Sequence, residues 1–506
     1  MFPRSLVRFF IACFAVPRWR RVSMLLICSC SVLPFALPLT LQAAESAKPN
    51  IVLIMADDLG IGDVRCYNDQ SKAPTPHIDR LASQGVRLTN AYSPAAVCIP
   101  TRYGLMTGRY PFRLQGGPHI GPVVAKDRMT LGSMLQQQGY ETACIGKWHL
   151  GFEGGFKFDC NQPLRGGPVD RGFDFYFGLQ ASTDDPPYLY IRNDRCTAPL
   201  SGRVEDNIEK GYTSHYQGKF WRAGRIGEDF KFEEAQDRLT DEANAFLRRH
   251  HAANSDQPFF LYFPFTAPHA PWLPAEQFQG KSECGPYGDF LIHTDHVVGQ
   301  VLKQLDDLGY RDNTLVIVTS DNGPLWFEPD VEKYGHDASH IFRGRKGDIW
   351  EGGIRMPFVA RWPGKIAPGS TSNEVISLVD MMATFASVVG AKLPEGSGID
   401  SHNVLPALLG KQTEQPLRPN LVLQSTMQKR LAIREGPWKL IPWRGSGGFL
   451  PGPATIKPGL GEPVGQLYNL ADDPSETKNL YDEKPEIVER LTATLAKIRE
   501  SEQSRP

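Results

Sequence analysis

The run Cys98-Ile99-Pro100-Thr101-Arg102 joins a thiol, a helix-starting proline and a cation within five residues. Proline suits the first turn of a helix, and the N-terminal end of a helix carries partial positive charge. The run therefore predicts a helix with Cys98 at its positive end and Arg102 four residues later on the same face. A cysteine so placed favours anionic chemistry. By itself the pentapeptide also fits a buried structural cysteine beside a surface arginine. Asp57-Asp58 and Asp321-Asn322 offer oxygen donors alone, which suit a hard cation, Ca²⁺ or Mg²⁺, rather than zinc. Either pair taken singly reads as the turn after a strand. Lys147 and His149, in Gly146-Lys147-Trp148-His149-Leu150-Gly151, point the same way if a strand continues through them. Lys346, in Gly344-Arg345-Lys346-Gly347, and His269, in Ala267-Pro268-His269-Ala270-Pro271, add a cation and a proton carrier. Taken one at a time, each reads as a solvated surface residue.

The elements that must hold these groups share one pattern. Apolar, β-branched runs at 51–55, 142–146, 259–265 and 314–319 each end in polar residues of the set above. Short continuous apolar runs suit strands buried on both faces. Helical patterns over 75–85, 131–138, 239–250 and 290–308 lie between them. This alternation predicts an α/β fold, a mostly parallel central sheet sandwiched by helices. Ligands in such folds bind beyond the carboxyl ends of the strands, so the polar residues converge on one site. After about residue 393 the chain becomes rich in Gly and Pro, with short strands at 429–434 and 438–442 and an amphipathic helix from 485. A smaller C-terminal α+β domain, a short antiparallel sheet plus a helix, is expected. The organisation read from the chain is 1–44 signal peptide, 45–393 catalytic domain and 394–506 C-terminal subdomain.

The longer run from Cys98 through Gly104-Leu105-Met106-Thr107-Gly108-Arg109 resembles the signature of the type I sulfatases, arylsulfatase-like members of the alkaline phosphatase superfamily. Thr101 stands where many members carry serine. The resemblance covers nearly everything from about residue 49 onward, with several separate motifs in order. It implies that Cys98 is oxidised to formylglycine by a formylglycine-generating maturation enzyme. It implies metal ligation by Asp57, Asp58, Asp321, Asn322 and position 98, with calcium favoured and magnesium the alternative. It places Lys147, His269 and Lys346 around the sulfate, Arg102 and His149 around the modified residue, and Ser182 as a further substrate contact.

On that reading the activity is hydrolysis of a sulfate monoester, the ester of a sulfated carbohydrate being the expected substrate. The modified side chain attacks sulfur, Asp321 takes its proton, His269 protonates the leaving alcohol, and His149 assists release of sulfate. His336 and His340 read equally as substrate-side or solvated groups. Trp272, Trp326 and Trp350 read as sugar-stacking or core residues. The alternatives are a phosphoester or phosphonate hydrolase of the same superfamily, an unmodified sulfoglycan-binding protein, and a thiol hydrolase using Cys98 with His149.

Charge and the N-terminus bound the setting. Lys and Arg (55) balance Asp and Glu (56), so no broad basic face for nucleic acid or an anionic membrane is expected. Arg18, Arg20 and Arg21 precede an apolar run from 24 to about 41, interrupted by Pro34 and Pro38 and followed by Ala43 and Ala44. This is the pattern of a removable secretory signal, with Arg20-Arg21 hinting at twin-arginine export. The mature chain is expected in the periplasm or outside the cell, free of the membrane. Cys13, Cys28 and Cys30 leave with the signal, and no remaining pair has the CxxC spacing of a zinc site. Cys160 with Cys196 is the pairing suggested for an oxidising compartment.

Overall fold

The computed structural model describes residues 48–505, except 115–120, 158, 254–255, 412, 427–429 and 450–453. The expected signal peptide with its three cysteines lies outside the described residues. The four apolar runs are strands: Asn50–Asp57, Glu141–Lys147, Phe259–Pro268 and Thr314–Ser320. Asn50–Asp57 is buried throughout because it has a parallel neighbour on each side, Phe259–Pro268 and Thr314–Ser320. Glu141–Lys147 and then Phe175–Leu179 continue the parallel centre. Among the described residues ten strands form this sheet. Its margins turn antiparallel, through Phe358–Arg361 and Val86–Leu88 on one side and Ile191–Arg192 and Arg195–Cys196 on the other.

The pleat of the central strand feeds two cores. Ile51, Leu53 and Met55 pack with residues of helices Cys98–Thr107, Leu131–Gln137 and Met381–Val388. Val52, Ile54 and Ala56 pack with residues of helices Pro76–Ser83, Ala235–Ala252 and Gly285–Asp307. Helices thus cover both faces, as the alternating pattern requires. The 239–250 and 290–308 patterns begin too late. Each helix runs a further turn or so toward its N-terminus, through residues too polar to show periodicity.

Toward the C-terminus, Leu421–Gln424, Leu431–Glu435, Trp438–Ile441 and Gln466–Asn469 form an antiparallel sheet in that order. The helix Pro485–Glu500 buries Leu491, Leu495 and Ile498 in the same core. Trp350 lies in that core, and Trp272 and Trp326 lie in the second of the two above; all three are buried packing residues. Cys160 and Cys196 are disulfide-bonded. No helix among the described residues is long and apolar enough to cross a membrane.

Candidate active site

Every central parallel strand ends by delivering a polar group to the same edge of the sheet. Asp57 is the last residue of its strand, and Asp58 comes next in the left-handed region (φ 67°), a conformation aspartate tolerates better than most residues. Lys147 closes Glu141–Lys147, which lies beyond Phe259–Pro268 in the sheet. Just before it Gly146 (φ 132°) runs so close to the next strand that a Cβ would lie 2.0 Å from the Pro264 carbonyl oxygen. The condition under which Lys147 and His149 would point the same way, a strand running through both, is not met. The strand stops at Lys147, and His149 turns through φ 56°, which still leaves the ring on the cavity wall. Asp321 and Asn322 come directly after Thr314–Ser320, and His269 directly after Phe259–Pro268.

Cys98 is the first residue of the helix Cys98–Thr107, and its Sγ lies 3.4 Å from Asp57 Oδ1. One turn on, Arg102 is fully buried. It donates from Nε (3.1 Å) and Nη2 (2.7 Å) to Asp321 Oδ2, and from Nη1 to the Lys147 carbonyl at 2.9 Å. Lys147 Nζ donates to Asp57 Oδ2 at 2.5 Å, and Lys346 Nζ to Asp58 Oδ2 at 2.8 Å. His269 Nε2 lies 3.7 Å from Asp58 Oδ2. Three buried carboxylates thus face three buried cations.

The geometry of the donor set suits a metal. Asp57, Asp58, Cys98 and Asp321 each place one ligand atom within 4.8 Å of the others. Asn322 donates its Nδ2 to Asp58 Oδ1 at 2.7 Å, while its buried Oδ1 has no hydrogen-bond partner. A buried amide oxygen without a donor costs roughly 1–3 kcal/mol. A hard cation in an oxygen cage removes that cost, so these residues fit one.

Burial and neighbours set the protonation states. Burial would raise the Asp57 carboxyl, but Lys147, His269 and Arg102 outweigh it and hold it below the usual carboxylate range. Burial, then Lys147 and Arg102, push His149 well below the ordinary imidazole value, so its ring is neutral. Burial, then Asp321 and Asp57, push the Cys98 thiol well up. The unmodified thiol stays protonated, which suits a thiolate nucleophile poorly.

Cys98, His149, Ser182, His269 and Lys346 line one cavity of about 370 Å³. Of the two further histidines, His336 is neither substrate-side nor solvated. It is buried, with Nε2 2.8 Å from Asp63 Oδ1, while Asp63 Oδ2 accepts from Tyr287 and from the Gly60 N–H. His340 is half-buried in a turn and does not line the cavity. The cavity also contains Asp184, Asp185 and Arg222, which the sequence reading missed. Asp184-Asp185 had a signal, an acidic pair just after a central strand. Arg222 lies 38 residues from Asp184 in irregular chain and had none.

The Sulfatase family model matches residues 49–391. The N-acetylgalactosamine-6-O-sulfatase of Bacteroides thetaiotaomicron is 35% identical, over 90% of this chain and 94% of that protein. Human arylsulfatase A is 33% identical, over 90% of this chain and 89% of its own length. A solved chain from work on the metabolism of multiple glycosaminoglycans by Bacteroides thetaiotaomicron superposes with a TM-score of 0.77. It is 33% identical and covers 90% of this chain and 100% of its own. The match spans the strands that deliver Asp57, Lys147, His269 and Asp321, and the helix that opens at Cys98. With likeness at both the level of the whole chain and the level of the fold, the protein belongs to the sulfatase family of the alkaline phosphatase superfamily, enzymes that hydrolyse sulfate esters.

Proposed function

We propose that this sulfatase removes sulfate from a sulfated carbohydrate, with Cys98 converted to formylglycine as nucleophile and a calcium ion held by Asp57, Asp58, Asp321, Asn322 and position 98. The observation that carries the reading is the seat of Cys98. It stands at a helix N-terminus, against Asp57, on the wall of a cavity that also presents Lys346 and His269. When present, the modified residue would supply a geminal-diol oxygen nucleophile and the ion a Lewis acid for the sulfate oxygens.

The rest falls to the chain's own side chains. Lys147 and Lys346 bring ammonium groups to an anion entering the cavity, neutralising charge that otherwise repels a nucleophile. Arg102 anchors Asp321 through two donors, so that carboxylate is oriented to take a proton at position 98. His269, half-enclosed at the cavity wall, donates a proton to the leaving alcohol oxygen. His149, kept neutral by burial, accepts a proton from position 98 and so assists release of sulfate. Ser182 adds a hydroxyl at the sulfate end.

The carbohydrate assignment draws on the relative named for N-acetylgalactosamine 6-O-sulfate, which is the first substrate to test. The signal-like N-terminus and the Cys160–Cys196 disulfide support export to an oxidising compartment, periplasmic or extracellular, after maturation of Cys98. The residues through 393 would carry the chemistry, and 394–506 would form the smaller subdomain.

Peptide mass spectrometry across Cys98, on protein co-expressed with a formylglycine-generating enzyme, tests the reading alongside 4-nitrophenyl sulfate turnover. The expected result is an aldehyde or its hydrate, with turnover abolished in Cys98→Ala. A free thiol accompanied by full turnover, sensitive to alkylation, would replace this mechanism with a thiol hydrolase.

A further inference from the structure

One wall of the cavity holds polar groups that the sulfate chemistry does not use. Asp184 is only 4% exposed. Its Oδ2 accepts from Arg222 Nη1 at 2.6 Å, but its Oδ1 accepts no hydrogen bond and stands 3.8 Å from His269 Nδ1. Asp185 Oδ1 accepts from the same Arg222 Nη1, also at 2.6 Å. Arg222 spends that one nitrogen on both carboxylates. Its Nε and Nη2 have no acceptor among the described residues, and its side chain is 43% exposed. The guanidinium lies over the Phe220 and Tyr216 rings, at 5.0 and 5.8 Å, which fixes the fork in place. Tyr216 and the half-exposed Phe449 line the same cavity.

A buried carboxylate oxygen without a donor is costly, so Asp184 Oδ1 favours a ligand that satisfies it. That ligand must donate. The guanidinium nitrogens beside it require one that also accepts. An alcohol does both at once, and two neighbouring alcohols can bridge an acceptor and a donor side by side. Aryl and steroid rings carry no such pair, whereas a pyranose does, and its C–H faces suit the flanking aromatic rings.

We infer that Asp184, Asp185 and Arg222 form a clamp that reads the free hydroxyl pair of a sugar next to its sulfate ester. This deepens the carbohydrate-sulfatase reading and rests on it. The clamp makes the enzyme selective for pyranose sulfates whose hydroxyls beside the ester are unsubstituted. A second sulfate at that place would lose the donor and face two carboxylates that share a single cation.

The test compares the parent enzyme on 4-nitrophenyl sulfate and on a panel of hexose and N-acetylhexosamine monosulfates, then on deoxy analogues of the best sugar. Loss of the recognised hydroxyl is expected to lower kcat/KM about 10- to 100-fold, the range of one hydrogen bond to a charged group. In Arg222→Met and Asp185→Asn, kcat/KM for the sugar sulfate should fall at least tenfold further than for 4-nitrophenyl sulfate, and the deoxy penalty should shrink. Arg222→Lys should recover part of the sugar rate. Three outcomes would overturn the clamp while leaving the sulfatase assignment intact: deoxy analogues cleaved as well as the parent sugar, equal losses on both substrates, or aryl turnover with no sugar turnover. Failure to cleave any sulfate ester with Cys98 correctly modified would overturn the underlying reading and the clamp with it.

Discussion

Chelation should lower the melting temperature of this protein by only a few degrees, and calcium should restore it. The structure sets the size of that effect. Asp57, Asp58 and Asp321 are fully buried, yet Arg102, Lys147 and Lys346 already stand against them, so the metal-free cluster is balanced in charge. Removal of the ion therefore leaves the Asn322 oxygen without a partner but strands no excess of buried carboxylate. A ligand present at 100 times its Kd stabilises by about 2.7 kcal/mol, and at 1,000 times by about 4.1 kcal/mol. At roughly 2.1 cal/mol/K per residue, the unit from Lys48 to Pro506 unfolds with an entropy near 1 kcal/mol/K. The expected rise on calcium addition is thus about 3–4 °C. The ion brings two further positive charges into a balanced pocket, so an anion should tighten it, and by reciprocity calcium should tighten the anion. Scanning fluorimetry of chelated protein against calcium, with and without sodium sulfate, reads both effects. A melting temperature indifferent to millimolar calcium would refute the metal assignment. A collapse of fifteen degrees or more on chelation would refute the charge balance.

Three further outcomes are expected. Lys439 is fully buried between Glu351 (2.9 Å) and Glu476 (2.8 Å), so Lys439→Met should cost about 3–5 kcal/mol, seen as a lower midpoint in urea. Replacing Cys160 and Cys196 together by serine opens a loop of 36 residues, for which chain entropy gives ~4 kcal/mol, or about 4 °C in a thermal scan. Burial, then Arg418, lowers His402 to about 4, so the fold favours its neutral ring. That contribution, ~3 kcal/mol, is complete above pH 6.5 and is lost as pH falls from 6.5 through 4. His402→Gln should flatten stability across that window, measured by denaturant titration at several pH values.

Legibility in the sequence tracked the physics of each segment. The four runs ending at Asp57, Lys147, Pro268 and Ser320 were readable because strands buried on both faces must be apolar throughout, and so contrast with the polar residues just beyond their ends. Ile191–Arg192 and Arg195–Cys196 were not readable, since two residues carry no periodicity and owe their pairing to the sheet beside them. The direction of His149 was readable only on condition that a strand ran through it, and its positive φ belongs to a turn that side-chain type does not announce. The groups at strand ends were found as a set, whereas Asp184 and Arg222 meet only through folding of irregular chain.

That difference bears on why strand ends carry the chemistry. Taking three carboxylates and three cations out of water costs several kcal/mol per ion, and well-packed apolar residues would often stabilise a fold more. The charges are therefore poor evidence of structural need, and their concentration at one edge of the sheet points to a task. On the proposed function, an anion entering there would meet Lys346 already desolvated and held by Asp58, with little reorganisation left to perform at the moment of reaction. A sheet whose central parallel strands end at one edge positions such groups from residues more than 200 apart in sequence, as Asp58 and Asp321 are. The burial that makes the strands legible is thus the same property that lets their ends hold reactive groups in register.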